Sequence, residues 1–310
     1  MKKIVGFLSL LIFLIGGSFI FSGCTNNIVT EKSSVEKINV MVSILPQVDF
    51  VERIGGDKVI VSEMIPPGFS PATYDPSPEQ LKKLQTADIY FRIGHVSFEK
   101  AQMEKLININ SKMKIVDTSE GIILQKLAAH SHEDEEYEGE PDDSHEDESG
   151  NDPHIWLSPQ LVKIQAEHIY NSLVEFKPEY KEYFLINYNQ FISDLDKLNS
   201  KLKIVFEPIK NKTIFVFHPA FGYLASAYEF EQEAIEIEGK DPSPEHLKKI
   251  IDEAKADNVN IIFVQKQFST KSAEAIAKEI NGVVVQIDPL AKDYFDNLEK
   301  MSDIIVSALR

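Results

Sequence analysis

The sequence predicts an α/β protein of two similar lobes with parallel-type sheets, joined by one long rigid helix. Short apolar strands alternate with helical segments in both halves of the chain, as in parallel sheets. Residues 75–84 recur at 241–250 with eight identities in ten positions. Between the halves, large apolar residues recur every three or four positions, which predicts one helix of about 28 residues and roughly 40 Å.

The first half carries a clear helix start and several strand segments. Ser77 is a typical N-cap, Pro78 suits the first turn, and Glu79 faces the positive end of the helix dipole. Apolar, β-favouring residues predict strands at 38–44, 59–65, 89–93 and 114–117.

Pro178 and Pro208 bound the long helix, which would limit hinge bending between the lobes. The second half repeats the strand and helix pattern of the first, with an apolar strand at 261–264 after its copy of the repeat. The predicted domains are a signal peptide (1–23), a tether (24–37), an N-terminal lobe (38–178), the linking helix (179–207) and a C-terminal lobe (208–310).

The N-terminal segment predicts export and lipidation. Two lysines precede an apolar run at 4–21, which is marginal for a membrane span but typical of a signal peptide. Small residues directly before Cys24 resemble a bacterial lipobox, so we expect a lipid anchor on the outer face of the cell membrane. Cys24 is the single cysteine, which excludes an intramolecular disulfide and a thiolate metal site.

The net charge of −17 is concentrated in one segment. Residues 130–152 contain twelve Asp or Glu and no Lys or Arg. Because no basic stripe exists, nucleic acid is not an expected partner. The stretch 130–150 predicts a mobile loop. Its histidines, His130, His132 and His145, either capture metal in an accessory role or are incidental in a solvated insert.

Three polar side chains occupy positions that suit a ligand site. His154 lies between two prolines, before a predicted helix at 161–175; a lone histidine there could equally be a hydrogen-bonded core residue. His218 is the first polar residue after an apolar strand, and Asp288 follows another, although Asp288 alone could be a turn residue. The carboxyl ends of parallel strands bind ligands, so we expect the three to converge in a cleft between the lobes.

Three segments carry a resemblance to a known family: DPHIWLSP (152–159), FHPAFGYLASAY (217–228) and IDPL (287–290). The chain resembles the metal-binding lipoproteins of zinc and manganese ABC importers, known as solute-binding protein family 9. The resemblance implies a monomeric, non-enzymatic carrier with His154, His218 and Asp288 as ligands. Its cargo would be Zn2+, alternatively Mn2+, delivered to a cognate ABC permease and ATPase. The acidic loop is more similar to zinc-selective members.

One position departs from the family pattern. The family usually has a histidine where Ala72 stands in Gly68-Phe-Ser-Pro-Ala-Thr-Tyr74. Alanine cannot coordinate, and zinc normally takes four ligands. His95, which follows a predicted strand, is the preferred substitute, although it could be a surface or supporting histidine. Other candidates for the missing ligand are Tyr74, Asp75, Glu99 and water.

Other functions fit parts of this pattern. Two histidines and one carboxylate with an open position also occur in zinc hydrolases, although no His-Glu-x-x-His motif is present. A surface adhesin with a structural metal, or a binding protein for an organic solute, are further alternatives.

Overall fold

The computed structural model describes residues 36–127, 150–236 and 243–309. Two four-stranded parallel sheets lie in these residues, with strand orders β2-β1-β3-β4 and β6-β5-β7-β8. The two orders are equivalent, which confirms the predicted α/β class with two similar lobes. The strands are β1 (Ile38–Val42), β2 (Val59–Glu63), β3 (Ile89–Arg92), β4 (Lys114–Asp117), β5 (Thr213–Val216), β6 (Glu231–Ala234), β7 (Ile261–Gln265) and β8 (Val283–Ile287).

Helices connect these strands. They are α1 (Leu45–Gly55), α2 (Pro78–Leu84), α3 (Ser97–Ile109), α4 (Pro159–Phe176), α5 (Lys181–Phe206), α6 (Gly222–Tyr228), α7 (Pro244–Ala256), α8 (Lys271–Glu279) and α9 (Tyr294–Ala308). The repeated segment begins α2 and α7, and the hydroxyls of Ser77 and Ser243 cap these helices. Ser158 occupies the N-cap position of α4, but its side chain makes no capping hydrogen bond.

The backbone repeats between the lobes as well. After β2, the Met64 N–H donates to the Val42 carbonyl; after β6, the Ile235 N–H donates to the Val216 carbonyl. The residues that follow each strand therefore emerge at equivalent edges of the two sheets. This is the edge at which open parallel sheets bind ligands.

The predicted long helix is α5, which packs against α1, α4 and α9. Its Phe191 ring lies 5.7 Å from the ring of Phe50 in α1 and 6.0 Å from that of Phe295 in α9, between centroids. One cluster of buried apolar side chains includes residues of both sheets, α5 and α9. A core that continues across both lobes resists bending, because close-packed interiors transmit strain.

Several predictions fall outside the described residues. These are the signal peptide, residues 24–35 of the tether with Cys24, and the loop histidines His130, His132 and His145. The domain limits also remain predictions. Within the described ranges, no helix is long and apolar enough to cross a membrane.

Candidate metal centre

The His154 side chain is buried and its orientation is fixed by Asp152. The Asp152 carboxylate accepts a hydrogen bond from the His154 backbone N–H at 2.9 Å and lies 2.6 Å from Nδ1. His154 is 7% exposed and Asp152 is 1% exposed. A short 3-10 helix, Ile155–Leu157, follows directly. Because Nδ1 is engaged by the carboxylate, Nε2 is the nitrogen left for a ligand.

The His218 side chain is held in a matching way by residues of two neighbouring strand ends. The Gln265 side chain accepts from the His218 N–H at 3.2 Å and donates to the His218 carbonyl at 2.6 Å. The Glu236 carboxylate, in a side chain only 1% exposed, is hydrogen-bonded to Nδ1 of His218. A histidine whose Nδ1–H is bound by a carboxylate is the usual arrangement of a metal-binding imidazole.

The two imidazoles face each other through their free nitrogens. Nε2 of His154 lies 3.2 Å from Nε2 of His218, and the ring planes are inclined at 73°. With both Nδ1 atoms protonated toward carboxylates, both Nε2 atoms present lone pairs, which repel unless a cation lies between them. Two nitrogens bound to one tetrahedral zinc at about 2.0–2.1 Å would be about 3.3 Å apart.

The electrostatic state of His218 favours metal binding. Burial lowers the pKa of His218 below that of an ordinary histidine and outweighs the opposing hydrogen bond to Glu236. A neutral imidazole is the form that coordinates a metal. At neutral pH, little competition from protons is therefore expected at this nitrogen.

The histidines line a small cavity to which both halves of the chain contribute. Ser70 and Pro71 come from the first half, and Phe268 stacks on the His218 ring at 4.9 Å between centroids. The cavity volume is about 20 Å³. That is the size of a single water or ion, and organic ligands need several hundred Å³. The binding of an organic solute at this centre is therefore disfavoured.

Asp288 lies beside this cavity with its carboxylate turned to other partners. Its Oδ1 accepts hydrogen bonds from Nε2 of Gln267 and from the N–H of Leu290, each at 3.0 Å. Its Oδ2 lies 3.5 Å from the Lys266 ammonium. Gln267 and Leu290 line the cavity. Over the described residues, no three His, Cys, Asp or Glu side chains are grouped closely enough to hold a metal, so Asp288 remains a predicted ligand.

His95 and Ala72 differ in their relation to the cavity. His95 follows β3 and is partly buried, and this burial lowers its pKa. The described cavity lining does not include His95. Ala72 is exposed and directly follows Ser70 and Pro71, which do line the cavity. Ala72, where the resemblance implied a histidine, therefore directly follows two residues of the cavity lining, and the role of His95 remains a prediction.

The other candidates for the missing ligand have partners elsewhere. Tyr74 donates its hydroxyl to the Gln80 side chain, and Asp75 accepts from Gln102 at 2.9 Å. Glu99 is 1% exposed and accepts hydrogen bonds from the backbone of Ile93 and Gly94. Glu99 therefore supports the loop that carries His95.

The sequence reasoning did not identify Asp152 and Glu236 as supporting carboxylates. Asp152 could have been identified from the sequence, because a carboxylate two positions before a histidine is close enough to contact the histidine ring. Glu236 follows β6, whose four residues include two glutamates and were not recognised as a strand. Its proximity to His218 arises from the parallel pairing of β5 and β6.

Comparison with known proteins gives a consistent result. The profile of a family described as "ZnuA: Zinc-uptake complex component A periplasmic" matches residues 40–308. The high-affinity zinc uptake system protein ZnuA of Bacillus subtilis is 28% identical, with 96% of this chain and 97% of that protein covered.

A manganese-transporting relative and a solved structure are also similar. The manganese ABC transporter substrate-binding lipoprotein PsaA of Streptococcus pneumoniae is 27% identical, covering 97% of this chain and 92% of PsaA. A crystal structure of a ZnuA superposes with a TM-score of 0.80 at 38% identity, covering 89% of this chain and all of that chain.

Proposed function

The chain belongs to the family of ZnuA-type zinc-uptake components, and from this premise we propose that it captures zinc outside the cytoplasm and delivers it to its permease. Proteins of this family are the metal-binding components of zinc and manganese ABC importers. The observation that carries the proposal is the 3.2 Å separation of the His154 and His218 Nε2 atoms, each histidine being backed by a buried carboxylate.

Zinc is the proposed cargo in preference to manganese. Imidazole nitrogens suit zinc, whereas manganese prefers carboxylate, carbonyl and water oxygens. The distance between the two Nε2 atoms also matches the separation expected for two nitrogens bound to one tetrahedral zinc ion. The relatives include both zinc and manganese binders and therefore do not distinguish the two metals. The proposal of zinc rests on the two imidazole nitrogens of the centre.

The proposed ligands are His154, His218 and Asp288, with His95 as the fourth candidate. Coordination by Asp288 requires its carboxylate to turn from Gln267 toward the histidines, and coordination by His95 requires the loop after β3 to move. Calorimetry of a His95→Ala variant tests this part. A zinc affinity at least tenfold weaker supports His95 as a ligand, and an unchanged affinity assigns the fourth position to water.

The protein acts by capture and release without chemical conversion of a substrate. A cavity of about 20 Å³ suits a single ion better than an ester or peptide group. The alternatives are a zinc-dependent hydrolase and a surface adhesin with a structural metal. Hydrolytic turnover by the zinc-loaded protein would favour the hydrolase. Normal growth of a deletion strain under zinc and manganese starvation would favour the adhesin.

Cys24 is the proposed lipidation site that keeps the protein at the outer face of the membrane. A monomeric protein then meets its permease by diffusion along the membrane, and the ATPase acts on the cytoplasmic side of that permease. The histidines of the acidic segment, His130, His132 and His145, are proposed to capture zinc in an accessory role.

Metal analysis of the purified protein, followed by competitive titration with zinc and manganese, tests the proposed function. We expect one zinc per chain and zinc to displace manganese at equal concentrations. Manganese that displaces zinc would reassign the cargo. A protein that binds neither metal would contradict the proposal.

A further inference from the structure

Among the described residues, three groups of unequal strength contact the Asp288 carboxylate. The Leu290 N–H is a backbone group of the same turn, two residues away. The Lys266 ammonium is 3.5 Å away on a side chain that is 58% exposed, where an ion pair contributes little. The Gln267 amide donates at 3.0 Å in a part-buried position. Of the three, the Gln267 amide is the partly buried side-chain contact that can rotate away.

Gln267 also lines the cavity of the histidine pair, whereas the Asp288 carboxylate is directed to Gln267. The amide therefore extends from the cavity to the carboxylate. A zinc ion between His154 and His218 that recruits Asp288 has to replace this amide at the carboxylate. The Leu290 N–H can stay in place, because a carboxylate accepts up to about four hydrogen bonds.

We infer that Gln267 is a positioning residue that holds the Asp288 carboxylate away from the histidine pair and releases it when zinc enters. The inference rests on the proposed function, in which Asp288 is a zinc ligand. Because the amide competes with the metal for the same carboxylate, it lowers the affinity and gives the carboxylate a partner when zinc departs. A carrier that must surrender its cargo to a permease gains a path for release in this way.

Removal of the amide without loss of volume tests the inference. Gln267→Leu deletes the donor, so the metal-free protein loses a contact that zinc binding would break. We expect zinc to bind about tenfold more tightly and to dissociate more slowly, as a difference of one hydrogen bond to a charged group implies. The cobalt-loaded variant should keep the absorption spectrum of the cobalt-loaded wild type, because the ligands are unchanged.

Gln190→Leu is the matched control. Gln190 donates to Asp194 at 2.9 Å on the exposed face of α5, so the same amide-to-carboxylate bond is lost at a position outside the cavity lining. Its zinc affinity should equal that of the wild type. In an Asp288→Ala background, Gln267→Leu should change nothing further, because its effect acts through Asp288.

The outcomes separate this inference from the proposed function. If Asp288→Ala weakens zinc binding but Gln267→Leu does not tighten it, the inference is wrong and the ligand set stands. Tightening by Gln267→Leu that persists in the Asp288→Ala background also contradicts the inference. If Asp288→Ala leaves the affinity unchanged, Asp288 is no ligand. The inference and that part of the ligand set then fail, whereas zinc capture by His154 and His218 still stands.

Discussion

Nε2 of His154 and Nε2 of His218 lie 3.2 Å apart, although the two residues are 64 positions apart in the chain. Each ring is oriented by a carboxylate at Nδ1, so the pair presents two lone pairs to one point. This juxtaposition is the structural basis of the proposed zinc capture.

Loss of either imidazole should abolish tight binding. We expect His154→Ala or His218→Ala to weaken zinc binding by more than about 100-fold, because loss of a supporting partner alone costs about 10–100-fold. Calorimetric titration measures the change. His168→Ala is the control, since His168 lies on the surface of α4 and pairs with the Glu120 carbonyl. Equal weakening in all three variants would contradict a specific role for the pair.

The Glu236 carboxylate should affect affinity more than stability. Glu236→Gln removes the charge that supports the imidazole of His218, and we expect zinc binding to weaken about 10–100-fold. One Glu236 oxygen is buried with no hydrogen-bond partner among the described residues, so the metal-free variant should unfold at the same denaturant concentration or higher.

Glu231→Gln provides the control for Glu236, because it changes the same residue type at an exposed position of β6. It should leave zinc affinity unchanged. If Glu236→Gln unfolds the metal-free protein and leaves the affinity of the folded fraction intact, the role of Glu236 is purely structural.

Restoration of a histidine at position 72 should strengthen the centre. The exposed Ala72 follows two residues that line the cavity, so a side chain there can reach the histidine pair. We expect Ala72→His to tighten zinc binding about tenfold or more, because an imidazole there competes with His95 or water for the fourth position of the zinc ion. Thr73→His, one position along, serves as the control. Equal affinity of Ala72→His and wild type would show that position 72 does not face the metal.

Glu99 should make the stability of the metal-free protein depend on pH. Burial raises the pKa of Glu99 to about 7, despite hydrogen bonds that act in the opposite direction. The unfolded chain releases this proton near pH 4.5, so the free energy of unfolding falls as pH rises from 4.5 to 7. The full effect is about 3 kcal/mol.

The Glu99→Gln variant has no carboxyl proton to lose, so its free energy of unfolding should not fall in this way as the pH rises. Denaturant unfolding at pH 5 and pH 8 measures the difference, and Glu104→Gln, exposed on the same helix, is the control. The same pH dependence in Glu99→Gln and wild type would show that Glu99 is ionised in the folded protein throughout this range.

The sequence predicted the architecture well because its signals are local. Ser77 and Ser243 cap their helices as expected, and α5 extends over Lys181–Phe206, close to the predicted span. Strand β6 was missed because only Ala234 of its four residues is buried, so no apolar pattern marks it. Glu236 was missed with it.

The site was predicted only in part, for a physical reason. His218 follows β5, whose end is fixed by its pairing with β6 and β7, so its place at the sheet edge could be expected. His154 precedes a 3-10 helix, and its ring is oriented by the contact with Asp152. The orientation of the Asp288 carboxylate depends on whether its hydrogen bond to Gln267 is more favourable than an orientation toward the cavity. Such a difference between side-chain orientations cannot be read from the sequence. The position of His95 depends on the loop after β3, whose backbone donates hydrogen bonds to Glu99. Glu99 in turn accepts from the Ser43 hydroxyl, which is distant in sequence, so this arrangement could not be predicted from local patterns.

The most direct test is the crystal structure of the zinc-loaded protein, measured with X-rays at the zinc absorption edge. We predict one strong anomalous peak at about 2.0–2.1 Å from Nε2 of both His154 and His218. A peak that lies elsewhere, with these two nitrogens still facing each other without a metal, would contradict the account.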